Sequence, residues 1–157
     1  ILINIDKDDY IVFSYGEVDC RAHLIKQFSL QKERDKNDII EECVDNLIKT
    51  ILYFKNKNVN IIGYGPIASF RDEDQHKVPV NRFFGNNYER NVVTKTFNDY
   101  YKLKCEENNI KFFTLFYDMV DENLKTKENL HLKDGMHLSN NCLKLALEKL
   151  NNLNLDI

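Results

Sequence analysis

The sequence lacks the positive charge and the long apolar runs that nucleic acid binding and membrane insertion require. Its 22 Lys and Arg are outnumbered by 25 Asp and Glu, so the formal net charge at pH 7 is −3. Such a charge balance does not attract a phosphate backbone. No apolar stretch approaches the roughly 20 residues of a membrane-spanning helix, and no signal peptide is visible. We therefore expect a cytoplasmic protein with no nucleic acid and no membrane among its partners.

The sequence also lacks paired cysteines and glycine-rich phosphate loops. None of the four cysteines lies in a C-x-x-C pair: Cys20, Cys43, Cys105 and Cys142. Isolated cysteines, three of them among apolar residues of predicted helices, indicate free core thiols in a reducing compartment. They predict neither a disulfide framework nor a zinc site. Neither G-x-x-x-x-G-K-[ST] nor G-x-G-x-x-G occurs, so nucleotide binding has no support, and we predict no cofactor.

What the sequence does contain is an alternation of strand and helix patterns without a repeat or a linker. Continuous apolar runs predict three strands, each buried on both faces, over residues 10–15, 59–64 and 110–117. Apolar residues at helical spacing predict helices over about residues 38–56, where Asp38 is the expected cap, over 88–108, and after Ser139. The pattern predicts a single α/β domain over 1–157, with a mostly parallel sheet in which 10–15 and 59–64 are neighbours.

Ligands of an open parallel sheet bind at the edge where the carboxyl ends of the strands meet. Three segments are expected there, because each follows a predicted strand: residues 16–21, 63–66 and 134–139. A long irregular segment, 65–87, follows the second strand. A loop of that length is either functional or mobile.

Asp134 and His137 are the strongest candidates for chemistry at this edge. A carboxylate near an imidazole fixes the tautomer and stabilises the imidazolium, so the His can act as a general base toward a hydroxyl. A capping Asp beside a surface His would give the same pattern. His131, Asp134 and His137 also offer three ligand types that zinc accepts. Because Asp–His pairing accounts for two of the three without an ion, we predict no metal site.

Two segments taken together resemble the SGNH hydrolases, the superfamily of GDSL esterases and lipases. Residues 13–21 read FSYGEVDCR, and residues 134–139 read DGMHLS. The first segment looks like a branch with G-E-[IV]-D-C-R where most members have G-x-N-D. The resemblance implies a flavodoxin-like three-layer α/β/α sandwich and hydrolysis of a small-molecule or glycan ester, most often deacylation of a carbohydrate. It also implies catalytic roles for Asp134 and His137.

The chain departs from that family in two ways. It has no N-terminal G-D-S block to supply the serine nucleophile, and Val18 stands where the family has an Asn that donates to the oxyanion. We expect no other serine to act as the nucleophile, because Ser14 lies inside a buried strand, Ser29 lies in a polar stretch, and Ser139 caps the last helix. Ser69, in the long loop, is the one that could swing toward His137. We therefore expect either a fragment without its first strand and nucleophile, or a non-catalytic binding or interaction module that kept the fold.

The remaining candidates surround the first motif. We expect Gly16, Glu17, Asp19 and Arg21 to bind substrate or to shape the loop. Asp19 is predicted to cap a short helix that runs from Cys20 toward Leu24. Glu17 and Arg21 are close enough to pair, and the pair either pins the loop or contacts substrate. Arg71 could meet an anionic substrate, but the acidic residues that follow it favour a solvated run of charges.

Overall fold

Three parallel strands and their crossover helices make up the fold of this chain. The computed structural model describes residues 9–56, 59–132 and 137–155. The strands are β1 (Tyr10–Ser14), β2 (Asn60–Tyr64) and β3 (Lys111–Phe113), in the order β1-β2-β3. Both pairs are parallel. The prediction of a mixed α/β chain whose first two strands are parallel neighbours is therefore confirmed.

Five α-helices accompany the sheet in the described part of the chain. They are α1 (Leu24–Leu30), α2 (Lys36–Lys55), α3 (Asn87–Glu107), α4 (Phe116–Met119) and α5 (Asn141–Asn151). A π-helical segment, Asp19–His23, leads directly into α1, and the loop before α3 contains two 3₁₀ helices, Asp72–Lys77 and Val80–Arg82. No helix among these is long and apolar enough to cross a membrane.

The strand predictions were wrong in two respects. The third strand ends at Phe113, because the Thr114 hydroxyl accepts a hydrogen bond from the backbone N–H of Phe116 at 3.0 Å and starts α4. Beyond it, Leu115 and Phe116 are buried at the start of α4, whereas Tyr117 is exposed. In addition, β1 is not buried on both faces. The face that carries Val12 and Ser14 is open, with Val12 45% exposed and Ser14 also exposed, whereas Phe13 on the other face is buried.

The predicted cap of α2 was also wrong. The helix begins at Lys36, and its cap is Asp35, whose carboxylate accepts from the backbone N–H of Asn37 at 2.7 Å. Asp38 lies inside the first turn, where its negative charge interacts favourably with the positive end of the helix dipole. The start of α3 is fixed more firmly. Asn86 and Glu89 form a reciprocal capping box at this end.

Two apolar clusters hold the elements together. The first joins the sheet to α2 and α3, and its most deeply buried members include Val44, Ile51, Tyr101 and Cys105. The second packs around α4 and includes Leu115, Phe116, Met119 and Cys142, with Tyr64 of β2 and Leu145 of α5 against it. Fully buried apolar side chains each contribute about 1.5–3 kcal/mol to stability. These clusters therefore fix the helices against the strands.

The long loop before α3 is ordered by a buried arginine. Arg90 of α3 is 0% exposed, and its guanidinium stacks on the Phe70 ring at 4.2 Å. It donates to the Ser69 hydroxyl at 2.8 Å, to the Phe70 carbonyl at 3.0 Å and to Asp72 at 3.1 Å. A buried charge is tolerated only when its donors are satisfied. Residues of the loop supply those acceptors, and the hydrogen bonds from Arg90 hold the loop in place.

Gly65 marks the closest approach of the loop to α3. A Cβ at this position would lie 1.9 Å from Asn98 Oδ1 and 2.7 Å from Phe112 Cζ. The Asn98 amide is held in place because it donates to the Pro66 carbonyl at 2.9 Å. No side chain larger than hydrogen fits here.

We expect Gly65→Ala to lower the free energy of unfolding by about 3 kcal/mol, because overpacking displaces Asn98 or the strand. Urea denaturation measures this loss. Gly63→Ala is the matched control, since its Cβ would meet side-chain atoms only at 3.0 Å and beyond, and it should cost less. Equal losses in the two variants would contradict the packing described for Gly65.

Candidate functional site

A cleft of about 350 Å³ opens at the carboxyl edge of the sheet. Its walls come from three separate parts of the chain: Ser14, Tyr15 and Glu17 after β1, residues 64–67 after β2, and the His137–Leu138 pair. His137 and Glu17 of the first motif line the same cleft, as predicted, whereas Gly16, Asp19 and Arg21 do not line it. The chemical roles of these residues stay predictions.

The turn after β1 depends on Gly16. Its φ of +97° lies in the region that favours glycine, and a Cβ would be 2.7 Å from the Phe97 ring of α3. The chain then enters a helix at once, because residues 17 and 18 are already helical and the Cys20 N–H donates to the Gly16 carbonyl at 2.9 Å. Gly16 is therefore a loop-shaping residue, as predicted.

The prediction that Asp19 caps this helix was wrong. The helix starts at residue 17, three residues earlier than expected, so Asp19 lies inside its first turn. The carboxylate contacts Nδ1 of His23, one turn further along, at 2.9 Å. The His23 side chain is largely exposed, the Asp19 side chain is partly exposed, and both lie outside the cleft that His137 lines.

Glu17 and Arg21 form the expected pair, with Arg21 Nε 2.6 Å from Glu17 Oε1. The Arg21 side chain is only 7% exposed and also donates to the Arg82 carbonyl, while its own carbonyl accepts from the Phe84 N–H. Of the two residues, Glu17 lines the cleft and Arg21 does not. Arg21 therefore shapes the site, because it ties the cleft wall to the long loop, and Glu17 is the member that a ligand can reach.

Hydrogen bonds and an aromatic contact hold the part of the cleft wall that follows β2. Gly65 N–H donates to the Phe113 carbonyl at 2.9 Å, and Asn98 holds the Pro66 carbonyl. The Tyr64 ring stacks on Phe113 with centroids 4.7 Å apart. Burial raises the pKa of Tyr64 to about 12, so at neutral pH it is an uncharged phenol on the cleft wall.

His137 is exposed and faces the cleft. Its carbonyl accepts from the Leu132 N–H at 2.7 Å, and Leu138 packs against the second apolar cluster, as an anchor for the loop should. Asp134 lies outside the described residues. His131 contacts the Ala68 carbonyl at 3.1 Å through Nε2. Across residues 9–56, 59–132 and 137–155, no group of three or more His, Cys, Asp or Glu is placed to hold a metal ion.

The serines are arranged differently from the sequence prediction. Ser14 is exposed and lines the cleft with His137, so the expectation that it lies inside a buried strand was wrong. Ser139 does not cap α5, because its hydroxyl donates to the Asn129 carbonyl at 2.7 Å and the cap position is Asn140. The Ser29 hydroxyl donates to the Lys26 carbonyl within its own helix.

Ser69 is buried and fully engaged. Its hydroxyl accepts from Arg90, its N–H donates to Asn91 Oδ1 at 2.9 Å, and its carbonyl accepts from the Thr126 hydroxyl at 2.6 Å. A side chain held in this way cannot swing to His137 without breaking the network around Arg90. Ser69 is therefore a structural residue.

Arg71 lies apart from the cleft that His137 lines. Its guanidinium contacts Asp74 at 3.0 Å and Glu128 at 2.6 Å, and the hydrogen bond that it donates to Asp74 is the main reason that the Arg71 pKa is raised. Arg71 is thus ion-paired and does not meet a ligand in this cleft, but the run of charges is not simply solvated, because Asp72 accepts from the buried Arg90 and the Asp74 side chain is only 14% exposed.

No family model matches this chain, and no curated protein matches it either. The resemblance to SGNH hydrolases therefore depends on the two sequence motifs and stays a prediction.

Arg21→Ala should lower the free energy of unfolding by about 2 kcal/mol, since it leaves the Arg82 carbonyl and the Glu17 carboxylate without their donor. Arg34→Ala is the matched control. It breaks an exposed pair with Glu42, for which we expect less than about 1 kcal/mol. Chemical denaturation of the two variants checks the difference, and a loss for Arg21→Ala no larger than for Arg34→Ala would contradict the bridging role.

Ser69→Ala should destabilise the chain by about 1–3 kcal/mol, because it leaves Arg90 Nε without an acceptor in a buried place. Thermal and urea unfolding measure this loss. Any ester hydrolysis measured per folded molecule should be unchanged. Abolished turnover in a fully folded Ser69→Ala variant would restore Ser69 as a nucleophile.

Proposed function

We propose that this chain is an SGNH-like hydrolase domain with a flavodoxin-like three-layer arrangement, and that it removes an acyl group from a carbohydrate or a similar ester. The observation that carries the proposal is the shared cleft, in which His137 lies with the turn of the G-E-V-D-C-R motif at the carboxyl edge of parallel strands. This is the edge at which α/β proteins of this topology bind ligands. The four free cysteines support a reducing, cytoplasmic setting.

The cleft has the size and chemistry that such a substrate needs. Its volume is at the lower end of the range for small-molecule sites, which is about 300–1,000 Å³. Tyr15 is 59% exposed at the cleft and offers an aromatic face to the apolar side of a sugar ring. One oxygen of Glu17 is fixed by Arg21, and the carboxylate can accept hydrogen bonds from sugar hydroxyls.

His137 is the base in the proposed reaction. Its neutral imidazole takes the proton from an attacking hydroxyl as the oxygen bonds to the ester carbonyl carbon, and it later returns that proton to the departing alcohol. Asp134 is the proposed partner that fixes the imidazole tautomer. Arg21 is a positioning residue, since it holds Glu17 and the long loop without entering the cleft.

A non-catalytic binding module is the second candidate. The observation that favours it is the missing oxyanion donor: Val18 replaces the family's Asn, and loss of one such donor costs roughly 10²–10³ in rate. A module of this kind would bind an acylated glycan in the same cleft and release it unchanged.

His137→Ala distinguishes the two functions. We expect the chain to release acetate from p-nitrophenyl acetate or from acetylated sugars, and the variant to lose about 10²–10⁴ of the rate, which is the usual contribution of a general base. His76→Ala is the matched control, because His76 is an exposed residue of a 3₁₀ helix that bonds to the Glu73 carbonyl. Saturable binding of acetylated sugars without turnover would support the binding module instead. Turnover unaffected by His137→Ala would contradict the role of His137.

A further inference from the structure

We propose that Ser14 is the nucleophile that His137 activates. This inference rests on the proposed function and deepens it, because it assigns the attacking hydroxyl to a residue within this chain. Ser14 is the last residue of β1, is exposed, and lines the same cleft as His137. Each other described serine is bonded to a carbonyl or held by Arg90, as shown above.

The pleat of β1 directs Ser14 toward the cleft. Successive side chains of a strand point to opposite faces, and Phe13 is buried in the first apolar cluster. Ser14 therefore projects to the other face. Its partner in the parallel register is Tyr64, which also lines the cleft and packs against the second cluster. The hydroxyl is thus presented on a rigid element beside an apolar wall, as a nucleophile requires.

The segment after Ser14 supplies a place for negative charge. The chain turns at Gly16 and enters a helix that runs without a break from residue 17 to residue 30. The first N–H groups of a helix have no partner within it. The helix begins at Glu17, three residues after Ser14, and in this proposal its first N–H groups stabilise the oxyanion formed at a carbon bonded to Ser14. They offer a replacement for the family's missing Asn.

Among the described residues that line the cleft, Glu17 is the acidic one, and its charge opposes an oxyanion at this position. Its carboxylate lies at the start of the same helix and lines the cleft. The guanidinium of Arg21 is 2.6 Å from it and offsets the negative charge. The Glu17–Arg21 pair therefore acquires a second function in this account, which is to keep the cleft electrically neutral near Ser14.

The reaction is a two-step acyl transfer. Ser14 Oγ forms a bond to the ester carbonyl carbon while its proton passes to His137, and the alcohol leaves with that proton when the C–O bond breaks. Water then attacks the acyl-serine, His137 takes a proton from it, and the carboxylic acid departs as the proton returns to Ser14 Oγ. Ester and water are the only reactants.

A fluorophosphonate probe tests the assignment directly. The full chain is incubated with the probe, and peptide mass spectrometry locates the label. We expect one label on Ser14, none on Ser14→Ala, and labelling slowed by about 10²–10⁴ in His137→Ala. Ser29→Ala is the matched control and should be labelled as the parent chain is, since Ser29 bonds to its own helix far from His137 in sequence.

Ser14→Cys provides a second readout that does not depend on esterase activity. Burial raises the pKa of Cys43 to about 11 and that of Cys105 to about 12, so these native thiols should react slowly with iodoacetamide. A cysteine at position 14 should be alkylated at least about tenfold faster, and that advantage should fall in the double variant with His137→Ala.

The outcomes separate this inference from the proposed function. Turnover that needs His137 but is unchanged in Ser14→Ala would overturn the assignment of Ser14 and leave the hydrolase proposal standing. A label on a different serine would do the same. No turnover and no label in a folded chain would overturn both. Loss of turnover and of label in Ser14→Ala, with Ser29→Ala unaffected, supports the inference.

Discussion

Parallel pairing of β1 with β2 and of β2 with β3 is the constraint on which the candidate site depends. Parallel strands all point their carboxyl ends to the same edge, so segments far apart in sequence leave the sheet side by side. The register that pairs Ser14 with Tyr64 places the first two walls of the cleft within one strand spacing. The apolar contacts of Leu138 bring the third wall, with His137, to the same edge.

A buried polar network fixes the loop that leaves this edge. The loop contributes Gly65, Pro66 and Ile67 to the cleft, and a few residues further on its acceptors satisfy Arg90. Asn87 extends the network, because its amide donates to the Phe70 carbonyl and to Thr126 at 2.9 Å each. Hydrogen bonds of this kind each contribute only about 0.5–1.5 kcal/mol, but an unsatisfied buried group costs more. The network therefore specifies one loop conformation.

The sequence predicted the parts of the structure that follow from periodicity and failed where a single side chain decided the geometry. Apolar runs located β1 and β2, and apolar residues at helical spacing located α2 and α3, to within a few residues. The end of β3 was missed because the hydroxyl of Thr114 starts a helix inside an apolar run. The hydropathy of that run is the same whether its residues form a strand or a helix. The cap of α2 was misplaced by three residues because Asp35 and Asp38 are chemically equivalent candidates.

The candidate site shows the same division. The two motifs were enough to predict that Glu17 and His137 lie at one edge of the sheet, because both follow predicted parallel strands. The exposure of Ser14 could not be predicted, because an apolar run does not reveal whether both faces of its strand are covered by other elements. Val12 and Ser14 alternate with Ile11 and Phe13, and that alternation, together with the polar Ser14, was the signal available. Tyr15 and Tyr64 were not singled out as cleft residues, since aromatic residues at strand ends are common in cores as well.

The central claim is that the cleft between β1, β2 and His137 binds an acyl ester. The most direct test is to titrate the ¹⁵N-labelled chain with a non-hydrolysable phosphonate analogue of an acetylated sugar and to follow the amide and imidazole resonances. We expect saturable shifts confined to residues 14–18, 64–67 and 137–138, with the largest change at the His137 imidazole. Saturable shifts confined to another surface, such as the groove between α1 and α3 that Phe28 and Val92 line, would contradict it.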